Sequence, residues 1–420
     1  MNCRVAITGL GAIAPLGNSV DALFTQLVAG RSGIRPLTLT RSEQLRSPIG
    51  APADFDGAAH FSPVRLRMLD RVSQMALMAA GEAIADSGLN FASESRDRCG
   101  VSVGTSMGGV ITMDEAYYSM YGERSERVQP LSVLSAMNNA PAAWIGIEHG
   151  LTGPNLTYST ACSSSAVALG EAASRIRCGE VDVMLAGGSE APLTFGVLRA
   201  WEAMRTLATT DSIDPATSCR PFSLNRSGLV IGEGSAFMVL EEWQHARARG
   251  AHIHAEFSGY GLTSDVTHIT RPTVEGQGSA MRAALRSARL DPGCIDYINA
   301  HGTATSQNDA VETAAIKTVF RELAFSIPVS STKSMHGHLL GAAGALEFLI
   351  SVVALGRATV PPTLHLNEPD PACDLDYVTD SARTGLTLRA VMSNSFAFGG
   401  TNAVLIAQAV DNERGSLRSS

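Results

Sequence analysis

Cys162 lies among small hydroxyl residues in TYSTACSSSAVALGEAASRIRCGE, directly before a run with helical periodicity. Four apolar residues recur there at the spacing of one helical face: Ala166, Leu169, Ala173 and Ile176. The pattern predicts a helix over 162–178. A thiol at a helix start meets free N–H groups and a positive partial charge, which favour the nucleophilic thiolate. A buried cysteine that serves only as a small apolar side chain is the alternative, and this stretch does not decide between them.

Three histidines and a lysine lie at other positions where a predicted element ends or begins. His301 follows a strand in NAHGTATSQND, and Lys333, His336 and His338 precede an apolar helix in STKSMHGHLLGAAGALE. A glycine-rich turn, SNSFAFGGTN, carries Phe398. Because α/β folds place their sites at such ends, we expect these segments to meet.

Other chemistries fit the sequence less well. Cys162 does not lie in a G-x-C-x-G elbow of the hydrolase type. GLGAIA follows the first strand and fits a dinucleotide fingerprint, but the acidic residue expected about 20 residues later is missing. His336 and His338 are two residues apart and so do not share a helical face, and no further ligands complete a metal site.

Composition restricts the class of protein. The chain has 420 residues, of which 45% are hydrophobic and 17% charged, and this predicts a globular protein of two or three domains. The net charge of −8 argues against nucleic acid as the main partner. Seven widely spaced cysteines without a C-x-x-C pair indicate a reducing compartment, and we expect a cytoplasmic protein without structural metal. The apolar run 339–356 contains Glu347, so we expect a buried helix and no membrane span.

Short β-type runs alternate with helical stretches, which predicts an α/β fold. The predicted strands are 4–10, 100–105, 181–188, 236–242, 254–261, 295–302, 327–331, 390–396 and 403–408. The predicted helices are 64–87, 162–178, 275–289, 309–322 and 339–355. A soft boundary near 245–255 predicts an N-terminal half over 1–250 and a C-terminal half over 251–410, followed by a polar tail, 411–420, that we expect to be disordered.

TACSSS, NAHGTAT, TKSMHGHLLGAAGALE and FAFGGTN together resemble the β-ketoacyl–acyl carrier protein synthases over nearly the whole chain. Synthase II is the most similar housekeeping type, and LAGGSEAPLTFGVLRAWEAM and EPDPACDLD resemble the nodulation ketosynthase branch more closely. The resemblance implies a thiolase-like α/β fold, with two similar halves stacked as an αβαβα sandwich, and a homodimer. It also implies condensing chemistry in fatty acid or polyketide synthesis.

The resemblance assigns the reacting groups. Cys162 would take an acyl chain from the phosphopantetheine thiol of an acyl carrier protein. His301 and His338 would stabilise the enolate that forms when malonyl carrier protein loses carbon dioxide. The N–H groups of Cys162 and Phe398 would hold the tetrahedral oxyanion. Lys333 would order the site electrostatically, and an internal ion pair with Asp309 or Glu312 is a compatible structural interpretation.

Further roles follow from the same resemblance. Thr303 and Thr305 would contact the pantetheine arm, with Gly399 beside the Phe398 gate. A buried polar cluster would hold a monovalent cation in a structural role: Asn299, Glu347, Ser393 and Asn394. No other cofactor is implied.

Four positions depart from the housekeeping pattern. His336 replaces a threonine and is interpreted as a bystander, with a proton relay as the alternative. Ala397 replaces a glycine, and because alanine restricts the backbone we expect a stiffer gate. Met107 and Trp201 are large residues where the family shapes the acyl tunnel, and we hypothesise that role for both. Ordinary burial is the alternative.

The carrier protein is acidic, so its docking patch should be basic despite the net charge of −8. The candidates are Arg205, Arg65, Arg67 and Arg127, each of which could instead be a solvated surface charge. A non-elongating partner subunit that only binds carrier proteins or another ketosynthase is the alternative function. The presence of Cys162, His301 and His338 argues against it.

Overall fold

The structure is a computed structural model that describes residues 3–410. Its strands are β1 (Val5–Ile13), β2 (Arg35–Pro36), β3 (Ile49–Gly50), β4 (Cys99–Gly104), β5 (Asn155–Tyr158), β6 (Val183–Glu190), β7 (Gly234–Glu242), β8 (Ala255–Ser264), β9 (Tyr297–Asn299), β10 (Val329–Ser330), β11 (Thr359–Val360), β12 (Arg383–Thr384), β13 (Ala390–Phe396) and β14 (Thr401–Gln408). Its α-helices are α1 (Val20–Val28), α2 (Pro63–Leu66), α3 (Arg71–Ser87), α4 (Val110–Tyr117), α5 (Ser132–Ala136), α6 (Ala140–His149), α7 (Ser164–Arg177), α8 (Phe195–Ala203), α9 (Trp243–Ala248), α10 (Val274–Ala288), α11 (Asn308–Phe320), α12 (Lys333–His336) and α13 (Ala343–Arg357). The tail predicted to be disordered lies outside the described residues.

The large sheet repeats one topology. Its strand order is β10-β9-β13-β14-β8-β1-β7-β6-β4-β5. Counted along the chain within each half, both halves run third, second, fourth, fifth, first from the outer edge to the centre. The parallel and antiparallel pairings also correspond, and β1 meets β8 at the centre through Ala6↔Glu256 and Ile7↔Ala255. Two similar halves, as expected from the resemblance, are therefore present.

Helices separate and cover the two half-sheets. The largest apolar cluster joins α7 and α13 to strands of both halves, so these helices form the central layer. A second cluster packs α3 and α6 on β4, β6 and β7, and a third packs α10 and α11 on β9, β13 and β14. The layer order is α, β, α, β, α, which confirms the predicted sandwich.

Local capping explains where the predicted helices differ from the observed ones. The predicted helix 64–87 is two helices, because Asp70 is extended and its side chain accepts the N–H of Val72 to cap α3. The predicted helices 162–178 and 339–355 each begin with a 3₁₀ turn, at Ala161–Ser163 and Leu340–Ala342. Strand β5 is not predicted from the sequence, because its polar sequence NLTY lacks the apolar pattern of the other strands.

One helical segment, Leu340–Arg357, has the length and composition of a membrane span, with a mean hydropathy of 1.6. Of that segment 89% is buried inside the protein, where it belongs to the central layer of helices. The segment therefore behaves as the buried helix that the sequence predicts.

Candidate active site

The backbone turns sharply just before Cys162. Ala161 has a φ of +50°, a left-handed conformation that is uncommon for a residue with a side chain. The Ser164 hydroxyl donates to the Ala161 carbonyl and accepts the N–H of Thr160 at 2.9 Å, which holds the turn. Cys162 consequently lies at the start of the central helix α7, with its thiol at the bottom of a cavity.

Burial dominates the thiol's electrostatics. It raises the pKa of Cys162 to about 12, although the Lys333 charge and a hydrogen bond from the Phe398 N–H both lower it. The expectation that the helix start yields a thiolate in the resting protein is therefore wrong, because desolvation outweighs the helix. A thiol that reacts from this environment needs a neighbour that accepts its proton.

Two neutral imidazoles lie beside the thiol. A nitrogen of His301, a nitrogen of His338 and the Cys162 Sγ all lie within 4.8 Å of one another. The two rings meet edge to face, with centroids 5.4 Å apart. Burial first, and then the Lys333 charge, hold the pKa of both histidines well below the usual 6.5. The structure thus brings the three predicted reacting side chains together.

Lys333 orients one of these rings. Its Nζ lies 3.5 Å from His301 Nδ1. An ammonium can only donate, so Nδ1 accepts and the His301 proton resides on Nε2, which leaves Nε2–H as a donor for an anionic substrate atom. Both nitrogens of His338 are buried without a hydrogen-bond partner among the described residues, as suits a group that waits for a ligand.

The ion pair proposed for Lys333 is corrected. Its Nζ lies 2.5 Å from Glu347 Oε1 on α13, and both side chains are 1% exposed. Glu312 instead accepts the N–H groups of His301 and Gly302, each at 2.8 Å, and so fixes the loop that carries the histidine. Asp309 accepts the N–H of Phe222 at 2.8 Å. The carboxylate that pairs with Lys333 therefore comes from α13 and not from α11.

The aromatic gate is a stacked pair. Phe398 and Trp201 stack with ring centroids 6.0 Å apart at an interplanar angle of 23°. Behind Phe398, Gly399 and Gly400 have φ values of +87° and +82°, and Gly400 N–H donates to the Ala397 carbonyl at 3.0 Å. The gate is therefore held both by a tight turn and by an aromatic face.

A cavity of about 270 Å³ leads from the surface to the three reacting groups. Thr303 and Thr305 line it, with their hydroxyls hydrogen-bonded to each other at 2.9 Å. Trp201, Phe398 and Arg205 also line it. None of the described lining residues is Asp or Glu.

Two predicted substrate residues lie elsewhere. Met107 does not line the cavity but packs with Trp201 into a leucine-rich cluster beside it, and Gly399 belongs to the turn behind the gate. Sequence reasoning missed Glu190, whose buried carboxylate accepts the N–H groups of Ser106, Met107 and Gly341 at 2.7, 3.0 and 2.8 Å. Its motif, GGSEAP, carries no signal for that bracing role.

The four docking arginines do not form one cluster at the cavity. Arg205 is exposed and lines its entrance. Arg65 forms an ion pair with Glu148 and lies over the Phe61 ring, whereas Arg67 and Arg127 are exposed and do not line the cavity. Geometry therefore supports Arg205 most directly.

The predicted polar cluster is buried as expected. Four oxygens in it have no hydrogen-bond partner in the described part of the chain: Asn299 Oδ1, Glu347 Oε2, Ser393 Oγ and Asn394 Oδ1. Burial raises the pKa of Glu347 to about 7 against the lowering effect of Lys333. Oxygen atoms without donors suit a hard cation, so these residues fit the implied ion.

His336 satisfies both of its ring nitrogens internally. Nδ1–H donates to the Gly337 carbonyl at 2.7 Å, and Nε2 accepts from the Thr332 hydroxyl at 2.9 Å. Burial, with Lys333, lowers its pKa to about 3. Because neither nitrogen faces the cavity, the bystander interpretation is favoured over a proton relay.

Known proteins are similar to this chain in sequence and in fold. The family described as "Beta-ketoacyl synthase, N-terminal domain" matches residues 2–246, and "Beta-ketoacyl synthase, C-terminal domain" matches residues 254–367. Nodulation protein E of Rhizobium meliloti (strain 1021) is 45% identical over 405 residues, 96% of this chain and 99% of that protein. The 3-oxoacyl-[acyl-carrier-protein] synthase 2 of Coxiella burnetii is 40% identical over 410 residues, 97% of this chain and 99% of that protein.

Solved structures agree. A type II polyketide ketosynthase in complex with its acyl carrier protein superposes with a TM-score of 0.91 at 32% identity, over 98% of this chain and 100% of that one. A β-ketoacyl synthase from Burkholderia phymatum superposes with a TM-score of 0.89 at 38% identity, over 97% of this chain and 100% of that one. The predicted family and fold are confirmed, and the chain belongs to the β-ketoacyl synthases, the acyltransferases that condense acyl chains into 3-oxoacyl products.

Proposed function

We propose that the protein condenses an acyl group held on Cys162 with malonyl–acyl carrier protein, which yields 3-oxoacyl carrier protein and carbon dioxide. The observation that carries the proposal is the meeting of one buried thiol and two neutral imidazoles within 4.8 Å at the end of a single cavity. The pathway is the synthesis of a fatty acid or polyketide chain.

Acyl transfer comes first. The Cys162 sulfur attacks the thioester of the acyl donor, and its proton passes to a neighbouring neutral imidazole and then to the departing pantetheine thiol. The N–H groups of Cys162 and Phe398 stabilise the tetrahedral oxyanion, since the Phe398 N–H is directed at the sulfur in the resting enzyme. Free pantetheine thiol leaves and acyl-cysteine remains.

Condensation follows on the malonyl carrier protein. Cleavage of the bond to the carboxylate releases carbon dioxide and leaves an enolate, whose oxygen accepts from His301 Nε2–H and from His338. The enolate carbon attacks the acyl-cysteine carbonyl and forms the new carbon–carbon bond. Collapse of this second tetrahedral intermediate expels the Cys162 thiolate, which takes up a proton from solvent because its original proton left with the pantetheine thiol.

The acyl chain is proposed to lie beyond the stacked gate. Trp201 belongs both to the cavity wall and to the adjoining leucine-rich cluster, in which Met107 and Leu340 also pack. Displacement of Phe398 would therefore connect the thiol to apolar surroundings suited to a hydrocarbon chain.

We further propose that the enzyme is a homodimer in the cytoplasm. Apolar side chains between α4 and the end of α6 are strongly exposed, among them Tyr121 at 79% and Ile147 at 70%. Helix α6 packs beside β5, which is an edge strand with partly exposed residues. Such a patch is typical of a protein interface. Light scattering gives the molar mass of wild type and of Val133→Glu in solution. If the patch is a dimer interface, wild type should be dimeric and the variant should shift towards the monomer, whereas a free surface would give the same mass for both.

A monovalent cation in the polar cluster is proposed as a structural element only. It would be held by Asn299, Glu347, Ser393 and Asn394 and would neutralise their unpartnered oxygens. A higher melting temperature in potassium than in tetramethylammonium chloride, lost in Asn299→Leu, would support the ion. Equal melting temperatures in both salts would contradict it.

The function is tested by intact-mass analysis of the protein and its products. Malonyl carrier protein and a panel of acyl carrier proteins are supplied to wild type and to Cys162→Ala. The expected result is acylation at Cys162 and a two-carbon extension in wild type only. Absence of both across the panel would favour the non-elongating partner subunit.

A further inference from the structure

The entrance of the active-site cavity carries two arginines that come from different halves of the chain. Arg205 follows α8, and Arg271 lies in the connection between β8 and α10. Both are exposed, and neither forms an ion pair with a carboxylate of residues 3–410. Guanidinium groups form strong paired hydrogen bonds with carboxylate and phosphate oxygens, so two unneutralised guanidinium groups at one entrance indicate an anionic ligand.

The rest of the cavity leaves this charge uncompensated. Among its described lining residues there is no carboxylate, although the chain as a whole has a net charge of −8. The exposed rim carries Arg205 and Arg271, whereas the floor carries Cys162 at 7% exposure and His301 at 3%. Thr303 and Thr305 supply hydroxyls on the wall. The cavity therefore has an anion-binding outer end and a thiol at its inner end.

The Arg271 backbone is restrained. Arg271 precedes Pro272, which limits it to extended conformations. Two residues earlier, the Ile269 carbonyl accepts the Gly399 N–H at 2.7 Å, so the segment is tied to the turn behind the gate. The backbone that carries the Arg271 guanidinium is therefore held in place beside the cavity.

We propose that Arg271, together with Arg205, binds the phosphate of the phosphopantetheine arm while the thiol end of the arm reaches Cys162. The proposal rests on the proposed function, because that function supplies a ligand with a phosphate at one end and a thioester at the other. Guanidinium groups match phosphate oxygens through paired N–H donors, which makes arginine better suited to this task than lysine. Arg271 would thereby select donors that carry the phosphate.

The experiment compares two small donors that differ only in the phosphate: octanoyl-pantetheine and octanoyl-4′-phosphopantetheine. Acylation of Cys162 is followed by intact mass, and the ratio of the two kcat/KM values is the readout. In wild type the phosphate should raise kcat/KM about tenfold, the effect of one or two solvent-exposed charge-assisted contacts. Arg271→Ala should lower the ratio about fivefold by the same reasoning, and Arg271→Lys should lower it less.

Arg286→Ala is the matched control, because Arg286 is an exposed arginine on α10 that does not line the cavity. It should keep the wild-type ratio. An identical ratio in wild type and Arg271→Ala would overturn the phosphate role. So would an Arg271→Ala defect confined to acyl carrier protein, since Arg271 would then contact the acidic carrier surface.

A second measurement needs no turnover. Unacylated 4′-phosphopantetheine should protect Cys162 from iodoacetamide more strongly than pantetheine does, and Arg271→Ala should remove the difference. Equal protection by both compounds in wild type would overturn the phosphate role even if Cys162 is acylated by carrier protein. Failure of every donor, including acyl carrier protein, to acylate Cys162 would overturn the condensing function itself.

Discussion

Trp201 and Phe398 stack on each other although they belong to different halves of the chain, with ring centroids 6.0 Å apart. Phe398 also directs its N–H at the Cys162 sulfur. In the proposed function Phe398 would therefore both contribute to the oxyanion hole and close the route to the leucine-rich cluster, and its ring packs on an indole from the other half.

Trp201→Leu should loosen this gate. Loss of an aromatic stack is worth about 0.5–1.5 kcal/mol, which corresponds to an increase of about two- to tenfold in the population of the open gate. Alkylation of Cys162 by a bulky maleimide should accelerate by that factor. Trp144→Leu, which makes the same change in the α3–α6 cluster, should leave the rate at the wild-type value. Equal rates in all three proteins would mean that the stack does not restrain Phe398.

Glu347→Gln should destabilise the fold strongly. It leaves the buried Lys333 ammonium without its carboxylate, and an uncompensated buried charge costs about 3–5 kcal/mol. Urea unfolding measures the free energy. The double variant Lys333→Met/Glu347→Leu removes both charges and should recover most of the loss. A single variant within about 1 kcal/mol of wild type would show that the pair is not a buried charge pair.

Lys333→Met should slow the reaction of Cys162 with iodoacetamide. Burial raises the thiol pKa to about 12 and the Lys333 charge lowers it, so removal of the charge raises it further. The wild-type rate should rise with pH throughout the neutral and alkaline range without a plateau, because the thiolate fraction is still increasing. The variant should be slower at each pH. A plateau at neutral pH in wild type would contradict the buried-thiol description.

His245 should stabilise the protein most at acidic pH. Burial lowers its pKa, but hydrogen bonds to Glu241 and Glu94, both at 2.9 Å, outweigh burial and raise it overall. A raised histidine pKa contributes stability that is complete below the unfolded value of about 6.5 and is lost as pH rises through the folded value. Thermal melts of wild type and His245→Asn should therefore differ more at pH 6 than at pH 9.

His149→Asn gives the opposite control for that measurement. Burial holds the pKa of His149 below its usual value, so this histidine favours the fold only while it is neutral. The substitution should cost more stability at high pH than at low pH. If both variants showed the same pH trend, the ionisation of His245 would not be the cause.

Motifs at element ends predicted which side chains meet at the cavity, because Cys162, His301 and His338 each follow or precede a strongly patterned element. Sequence reasoning failed where a contact joins distant segments. The positions of Lys333 and Glu347 in the sequence do not reveal that the two side chains pair. Glu190 accepts a hydrogen bond from the Met107 N–H, but its segment has only the pattern of an ordinary β-strand. The helix-start argument for a thiolate failed for a related reason, since burial of Cys162 is a property of the assembled fold.

The repeated strand order makes the two helix starts comparable. The 3₁₀ turns before α7 and α13 both begin with a left-handed residue, Ala161 and Leu340, so Gly341 occupies in the second turn the place that Cys162 has in the first. A side chain at Gly341 would collide with the backbone of Ser106 and with Glu190. The nucleophile is thus confined to one copy and the histidines to the other. The two halves, expressed separately, should each fail to become acylated. Acylation of Cys162 should return only when the two halves are combined.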